Sequence, residues 1–370
     1  SFYLPFAKQT NKVKQLYVFM GDGDFSYSTD EHNNASYTHH LIPLEISKNF
    51  ATVYIGGPKT SNSNRKFGRL NMFHPIGLKS FQKYKFFEIF YFLQIKFFLW
   101  KLIKNQGITQ LLCTTYCGFL KRKFKLLDKE KYIVQFDDEF LDPLNRLINL
   151  YDGMMCVNYA YFQILKKRTH NKPVFHAPVL LSNNFLETSI EKKKIKEKSF
   201  NFCVIGNIDF QKFDLKILVN IANEIENSKI FFHGTVIGGT NKFLLSNLVS
   251  EYENISYHGE YNHEDTPALI SNYEFGLVPF VLNSRTMGAW PTKILEYLSC
   301  GLHVFTPDLG FEDPIRKYLN FYENFNDINQ RIERLRTESS LNENPELQTI
   351  LDTYMVEHRT KDFLNYAKSL

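Results

Sequence analysis

Residues 285–306 read R-T-M-G-A-W-P-T-K-I-L-E-Y-L-S-C-G-L-H-V-F-T, and this stretch decides the fold class of the chain. Pro291 suits the first turn of a helix, and Gly301 suits the end of one. The run after Gly301 is apolar enough for a buried strand. The pattern predicts a helix over 291–299 and a strand over 302–306, a unit typical of a parallel sheet covered by helices.

The same alternation of strand and helix extends in both directions from this stretch. Short apolar runs predict strands in the second half at 200–205, 229–233, 255–258 and 275–279, and in the first half at 16–20, 51–55, 108–114, 132–136 and 153–158. Helical periodicity predicts helices between them at 36–49, 84–104, 215–227 and 266–271. The sequence therefore predicts an α/β protein with two doubly wound, Rossmann-like domains.

A charge-dense stretch, E-T-S-I-E-K-K-K-I-K-E-K at 187–198, separates the two series of strands and contains few residues that can enter a core. It predicts an N-terminal domain over 1–186, a linker over 187–199 and a C-terminal domain over 200–340. The polar, helical segment 341–370 is expected to return to the N-terminal domain.

The composition is that of a globular protein, because 44% of the 370 residues are hydrophobic and 22% are charged. Five cysteines without a C-x-x-C pair argue against a disulfide framework or a zinc knuckle, so we expect a cytoplasmic location. Residues 1–185 hold 25 Lys and Arg against 13 Asp and Glu, whereas residues 186–370 hold 19 against 26. The basic half is either a solvated surface or a face for nucleic acid, an anionic membrane or a phosphorylated substrate. Since no nucleic-acid recognition motif is present, we expect no nucleic-acid partner.

The start of the predicted helix at Pro291 has the features of an anion site. Gly288 lets the backbone approach a ligand, and the N–H groups and dipole of a helix start suit a phosphate. Glu296 follows within the helix, where its carboxylate can accept hydrogen bonds from ribose hydroxyls. The alternative is a capped helix that packs on a sheet and carries a surface glutamate.

Two stretches of the second half resemble a known family. The segment P-T-K-I-L-E-Y-L-S-C-G-L-H-V-F-T (291–306) resembles the nucleotide-sugar motif of GT-B glycosyltransferases, particularly the large retaining family of bacterial mannosyl- and glucosyltransferases. The segment V-I-G-N-I-D-F-Q-K (204–212) is similar to the strand, glycine, loop and lysine that open the donor domain of that family. The segments 258–261 and 152–158 are similar as well, so the resemblance covers roughly residues 130–310. It implies the GT-B fold and a hexosyltransferase that uses a nucleotide-sugar donor.

The resemblance also implies roles for individual residues. Lys212 would contact the donor diphosphate. Asn207 stands where the family commonly has an arginine, and Arg285 is the candidate replacement. Gly288 stands where the family has a glutamate, and Asp138 or Asp137 would take the place of a histidine at a strand end. The implied catalytic residues are Lys212, Arg285 and Asp138, and the implied donor-binding residues are Gly206, Asn207, Lys212, His258, Gly288, Ala289, Thr292, Lys293 and Glu296.

The implied chemistry needs no metal and no cofactor besides the donor, with a UDP-sugar preferred and a GDP-sugar as the alternative. Cations and N–H donors stabilise the charge that collects on the departing diphosphate. The resemblance implies retention and a glycan, lipid-linked or protein acceptor, as in polysaccharide biosynthesis. Two alternatives stay open: a non-hydrolysing nucleotide-sugar epimerase, and a non-catalytic glycosyltransferase-like subunit that binds a partner or a glycan.

Three weaker signals lack the context that a site requires. Asp22-Gly-Asp24 is a D-x-D sequence next to the first strand, and no third glycine completes a dinucleotide loop, so a loop near donor or acceptor is favoured over a metal site. His39 and His40 open a predicted helix and are candidates for the cleft. Cys113 and Cys117 are expected to supply small core residues.

The predicted helix 84–104 is dense in aromatic residues, but polar residues interrupt it too often for a membrane span. Two hypotheses fit this helix. It is a buried or oligomer-facing helix, or it is an interfacial helix that, with the basic segment 121–125, holds the N-terminal domain on the anionic inner face of a membrane. The second hypothesis would suit a lipid-linked acceptor.

Overall fold

The computed structural model describes residues 14–21, 38–57, 65–67, 70–76, 85–116, 122–136, 148–157, 159–169, 171–177, 179–187, 200–283, 286–287, 289–311, 314–337, 341 and 344–370. The chain divides into two compact units. The first consists of the described residues within Ser1–Val157, Tyr161–Ala177 and Arg359–Leu370, and the second of those within Asn158–Ala160 and Pro178–His358. Apart from its first residue, the predicted linker 187–199 lies outside the described residues.

The first unit is built on a sheet of eight strands. They are β1 (Gln15–Met20), β2 (Ala51–Ile55), β3 (Arg65–Phe67), β4 (Leu70–Phe73), β5 (Gln110–Tyr116), β6 (Glu130–Phe136), β7 (Gly153–Cys156) and β8 (Val174–His176). Their order across the sheet is β3-β4-β2-β1-β5-β6-β7-β8, and every pair is parallel except β3 with β4. Central strands such as β1 are buried along nearly their whole length, as expected where helices cover both faces.

Within the described residues, the helices that accompany this sheet include α1 (Thr38–Ser47), α2 (Lys85–Gln106) and α3 (Tyr159–Arg168). Helix α2 contributes Ile95, Leu99 and Ile103 to the same core cluster as Val18 and Tyr132 of the sheet. The predicted helix 84–104 and the predicted strand 51–55 are therefore confirmed, whereas β5 begins two residues later than predicted.

The second unit repeats this plan with a parallel sheet of six strands. In chain order its elements are α4 (Asn184–Glu187), β9 (Phe200–Ile205), α5 (Leu215–Glu224), β10 (Ser228–His233), α6 (Gly238–Glu251), β11 (Ile255–Tyr257), α7 (Thr266–Ile270), β12 (Phe275–Leu277), α8 (Lys293–Ser299), β13 (His303–Thr306), β14 (Leu319–Phe321), α9 (Phe325–Thr337) and α10 (Pro345–Thr353). The strand order is β11-β10-β9-β12-β13-β14. The prediction of an α/β protein with two doubly wound, Rossmann-like domains is thus confirmed.

Two predicted helix ends in this unit are wrong by a few residues. Helix α8 begins at Lys293 with Thr292 as its N-cap, so Pro291 lies ahead of the helix. The reason is a tight turn in which the Ile294 N–H donates to the Pro291 carbonyl at 3.0 Å. Helix α5 ends before Asn227, whose φ of 59° is the left-handed conformation that asparagine tolerates and a continuing helix does not.

The last helix, α11 (Val356–Ser369), brings the C-terminus into the first unit. Phe363 is fully buried, and its ring centroid lies 5.8 Å from that of Phe19. The Tyr366 hydroxyl lies 3.0 Å from the carbonyl oxygen of Met154 and 2.9 Å from that of Pro173. The C-terminal helix is therefore an integral part of the first sheet's packing.

Candidate functional site

Strand β9 is the point at which the second sheet changes direction. The chain runs outward from β9 to β10 and β11, and then returns to β12 on the other side of β9. In open parallel sheets, the loops that leave such a point diverge and form a crevice beyond the carboxyl ends of the strands. The candidate site is therefore the sheet edge at the end of β9.

Glycines form the main chain of this edge. Gly206 follows β9 and Gly234 follows β10, with φ of 104° and 131° that residues with side chains rarely adopt. A Cβ on Gly234 would lie 1.9 Å from the Gly206 carbonyl oxygen. The Gly206 N–H donates to the His233 carbonyl at 3.0 Å, and the Gly234 N–H donates to the Gly259 carbonyl at 2.8 Å. These glycines, called here the glycine ledge, let the two loops pack closely together. The Lys293 ammonium lies beside Gly206, and the Tyr257 hydroxyl donates to the Gly234 carbonyl at 2.8 Å.

The loop after β9 carries Lys212 and is tied to the loop after β12. The Lys212 carbonyl accepts a hydrogen bond from the Val281 N–H at 2.8 Å, and the Asp214 N–H donates to the Pro279 carbonyl at 2.6 Å. The rings of Phe213 and Phe280 stack with centroids 5.9 Å apart. The backbone of Lys212 is therefore fixed at the switch point, while its side chain is exposed.

Helix α8 places a second lysine at the end of β9. The Lys293 ammonium donates a hydrogen bond to the Ile205 carbonyl at 2.6 Å, and a Cβ on Gly206 would lie 2.8 Å from Nζ. The pKa of Lys293 is lowered to about 8, chiefly by burial; the charge of Glu296 opposes this shift and the positive charge of Lys212 adds to it. Lys212 and Lys293 are therefore close enough for their positive charges to repel each other, and an anion bound between them would relieve this repulsion.

Glu296 lies in the first turn of α8, three residues after Lys293. It is buried, with 8% of its surface exposed, and burial raises the pKa of its carboxyl to about 7 while the Lys293 charge lowers it. A carboxyl group with such a pKa is poised to accept or to share a proton near neutral pH. The charged group that acts on this carboxyl is the Lys293 ammonium, one helical turn earlier.

Tyr297 fixes α8 on the sheet. Its hydroxyl donates to the Cys203 carbonyl and accepts from the Ile205 N–H, both at 3.0 Å. The ring is fully buried, and a Cβ on Gly276 would lie 2.3 Å from it. Because Tyr297 binds the last residues of β9 directly, the positions of Lys293 and Glu296 relative to that strand end are set by the fold.

His258 lies at the end of β11, two strands from β9. Its exposed ring stacks on that of His233 with centroids 5.0 Å apart. His233 is buried, its Nε2 lies 2.7 Å from the Tyr273 hydroxyl, and burial lowers its pKa to about 4. His233 is therefore neutral at pH 7, and it supports the exposed His258 at the same sheet edge.

Two other predicted residues lie at the start of α8. The Ala289 N–H donates to the Thr286 carbonyl at 2.9 Å, so this amide is engaged within its own turn. Its role toward a ligand stays a prediction. Thr292 is the N-cap of α8, and its side chain makes no capping hydrogen bond.

Several predicted residues fall outside the described part of the chain. They are Arg285, Gly288, Asp137, Asp138, Cys117 and the D-x-D sequence at 22–24. His39 and His40 begin α1, but their side chains are not described. The roles of these residues stay predictions. Of the remaining set, Gly206, Asn207, Lys212, Lys293 and Glu296 meet at or beside the end of β9, and Asn207 is exposed on the loop.

Some residues that hold the site together were not predicted from the sequence. Asn241 of α6 accepts from the Phe210 N–H at 3.1 Å and donates to the Asp209 carboxylate at 3.2 Å, which shapes the loop after β9. Gly234, Tyr273 and Tyr297 were missed as well. Only Gly234 left a signal, because it directly follows a predicted strand.

Neither a metal cluster nor a membrane span appears in the parts of the chain that the structure describes. No group of three or more His, Cys, Asp or Glu side chains there could hold a metal ion. Among the described helices, none is long and apolar enough to cross a bilayer.

Comparison with known proteins gives a likeness in structure alone. No protein-family model and no curated protein sequence matches the chain. Sucrose-phosphate synthase from Thermosynechococcus elongatus superposes with a TM-score of 0.66 at 12% identity, covering 96% of this chain and 98% of that one. An E. coli trehalose-6-phosphate structure bound with UDP-2-fluoro glucose gives 0.67 at 10% identity, covering 96% and 99%. A UDP-forming α,α-trehalose-phosphate synthase from Burkholderia xenovorans, in complex with glucose-6-phosphate, gives 0.65 at 8% identity, covering 96% and 100%. The chain therefore has the two-domain GT-B fold that the sequence resemblance implied.

Proposed function

We propose that this protein is a glycosyltransferase that moves a sugar from a nucleotide diphosphate donor to a sugar acceptor. The main support for the proposal is the pair of lysines at the end of β9. The Lys293 ammonium lies 2.6 Å from the Ile205 carbonyl, and the positive charge of Lys212 contributes to its lowered pKa. The carboxyl edge of a doubly wound sheet at its switch point is the usual place for a nucleotide.

The glycine ledge and the two lysines suit a diphosphate in particular. An ammonium has three donors, of which Lys293 uses one on the Ile205 carbonyl. Burial has lowered its pKa, so a bound anion would recover part of the lost solvation of the cation. Lys212 supplies a second, exposed charge on the anchored loop. Glu296, buried beside them, would accept hydrogen bonds from the ribose hydroxyls.

In the transfer step, the bond between the anomeric carbon and the β-phosphate oxygen breaks, and a bond between that carbon and the acceptor oxygen forms. The negative charge passes to the departing diphosphate, where Lys212 and Lys293 stabilise it. The acceptor hydroxyl gives its proton to the leaving phosphate oxygen, so the step needs no metal. The resemblance to the retaining family supports retention of the anomeric configuration.

A UDP-sugar is the preferred donor, since one structural neighbour is bound with UDP-2-fluoro glucose and another is UDP-forming. A GDP-sugar is the alternative. The neighbour in complex with glucose-6-phosphate supports a sugar acceptor, and we extend this to glycan and lipid-linked acceptors in the cytoplasm.

Thermal-shift titration with UDP, GDP and UMP tests the proposal. A ligand at a hundred times its Kd adds about 2.7 kcal/mol to the free energy of unfolding, which a melting curve resolves easily. Lys212→Ala should lower turnover by about a hundredfold, since one such donor contributes about 2.7–4 kcal/mol to the barrier. Lys216→Ala, which removes an exposed lysine of α5, is the matched control and should leave turnover unchanged.

Product analysis separates the alternatives. With the donor alone, a transferase gives only slow hydrolysis, whereas an epimerase gives an isomerised sugar nucleotide. Absence of any shift with nucleoside diphosphates, together with unchanged activity of Lys212→Ala, would contradict the proposal and favour a non-catalytic subunit.

A further inference from the structure

Helix α2 exposes a continuous row of large apolar side chains. The row, called here the apolar stripe, consists of Phe86, Phe90, Leu93, Phe97 and Trp100. Between 45% and 74% of the surface of each residue is exposed. The spacings of four, three, four and three residues place all five on one face, because a helix turns once every 3.6 residues.

The opposite face of α2 fixes this orientation. Ile95, Leu99, Leu102 and Ile103 are buried in the core cluster of the first sheet, and Tyr91 is buried as well. The helix cannot rotate to hide the stripe without exposing these residues. Its exposure is thus a property of the packed unit.

The stripe is large for a surface that only meets water. Its length from Phe86 to Trp100 is about 21 Å at 1.5 Å per residue. Five half-exposed side chains of this size present on the order of 500 Å² of apolar surface. Monomeric proteins seldom leave more than a few hundred Å² contiguous unless the patch binds something.

Positive charges surround the stripe. On a helical projection Lys101 lies about 60° to one side of the stripe and Lys96 about 80° to the other. Lys104 follows at its C-terminal end, with its ammonium 5.3 Å from the Trp100 ring. The exposed Arg122 of the neighbouring segment lies with its guanidinium 5.7 Å from the Phe92 ring, on the Lys96 side. The one carboxylate of α2, Glu88, projects about 160° away from the stripe.

We propose that the apolar stripe of α2 is a docking surface for an anionic lipid bilayer. Two contributions hold an interfacial helix on such a surface. Apolar rings enter the boundary of the acyl chains, and the flanking lysines attract the phosphate headgroups. A second copy of α2 fits less well, because an isologous contact would bring Lys96, Lys101 and Lys104 toward the same set of cations. This surface is independent of the donor chemistry, so it stands or fails separately from the proposed function.

Vesicle flotation of the full chain tests this proposal. We expect the protein to float with vesicles of phosphatidylcholine and phosphatidylglycerol, and to stay behind with phosphatidylcholine alone or at high salt. Replacing Phe97 by serine should reduce the bound fraction about tenfold or more. Phe243→Ser is the matched control, because Phe243 is an exposed phenylalanine of the second unit, at 65% against 63% for Phe97.

A charge variant keeps the test decisive if serine at position 97 impairs folding. The double variant Lys101→Gln and Lys104→Gln removes two cations beside the stripe and should weaken partition on the order of twentyfold. Binding to both vesicle types alike, or no binding at all, would overturn the proposal. A concentration-dependent dimer that Phe97→Ser abolishes, without vesicle binding, would reassign the stripe to a contact between copies.

Discussion

Helices α2 and α8 depart in opposite directions from the usual distribution of side chains between surface and interior. Helix α8 holds a half-buried lysine, Lys293, and a buried glutamate, Glu296, at the edge of the second sheet. Helix α2 exposes five large apolar residues on the first unit. Most soluble proteins bury charges only when they are paired, and they expose such rings singly.

Neither departure adds stability to the folded chain. Burial opposes the ionisation of both groups, because it lowers the pKa of Lys293 and raises the pKa of Glu296. Exposure of the apolar stripe forgoes the free energy that burying it would provide. A bound ligand would explain both the charged groups of α8 and the exposed apolar stripe of α2. We propose an anion as this ligand for α8 and a lipid surface for α2.

Removing the buried ammonium should have the largest effect. Lys293→Met keeps much of the side-chain volume but deletes the cation at the Ile205 carbonyl, so we expect turnover to fall by a hundredfold or more, about 2.7–4 kcal/mol. Steady-state kinetics and a UDP titration at pH 7 measure this. Lys216→Met is the control, and it should match the wild type.

A second variant guards this test against misfolding. Lys293→Met leaves Glu296 without its nearby cation, and the double variant with Glu296→Gln removes that imbalance. If the double variant melts like the wild type and still binds UDP with unchanged Kd, the anion site at the end of β9 is wrong. In that case α8 buries its charges for a reason of folding alone.

The pH dependence of the same pair gives an intermediate effect. The pKa of Lys293 is lowered from 10.5 to about 8 in the folded protein. Burying the charged ammonium therefore destabilises the fold below pH 8, and this destabilisation disappears between pH 8 and 10.5. Glu296 has a pKa raised from 4.5 to about 7, so the cost of its charge appears between pH 4.5 and 7. Between pH 7 and 8 both groups are charged in the folded protein, so the pair lowers the free energy of unfolding most in this range. The free energy of unfolding should rise as the pH moves below 7 or above 8.

Nucleotide binding should follow the opposite trend on the alkaline side. A diphosphate needs the charged ammonium, so UDP affinity should fall as the pH rises above about 8, by up to tenfold per pH unit for one linked proton. Lys293→Arg keeps its charge throughout this range and should give a flat profile. Calorimetric titration from neutral to alkaline pH compares the two. Parallel profiles would show that Lys293 does not contact the nucleotide.

The sequence specified the fold more fully than the site, and particular elements show why. Strands β1, β2 and β9 were predicted because each is an apolar run that ends at glycine. Strands β4 and β14 were missed, since each is a short apolar run that an asparagine interrupts, Asn71 in β4 and Asn320 in β14. Helix α6 was missed because it opens with Gly238 and Gly239, which are poor helix formers.

Within the site, the family resemblance implied Lys212 and the predicted helix start pointed to Glu296, but neither showed which residues contact them. The contact of Lys293 with the Ile205 carbonyl joins residues 88 positions apart, and that of His233 with Tyr273 joins residues 40 apart. Such contacts arise from strand order, and no local pattern encodes the placement of β12 beside β9. The burial of Lys293, and with it the lowered pKa, could be found only once the sheet was assembled.

The smallest expected effect concerns the stability of the apolar stripe. Phe97 and Leu99 lie on opposite faces of α2, the first 63% exposed and the second fully buried. Phe97→Ser should change the free energy of unfolding by no more than about 0.5 kcal/mol, as for other surface substitutions. Leu99→Ala should cost about 2–5 kcal/mol, because it leaves a cavity in the core of the first unit. Urea denaturation of the full chain gives both values. A loss at position 97 comparable to that at position 99 would mean that the stripe is covered within the folded protein in solution, and would remove the contrast between α2 and α8.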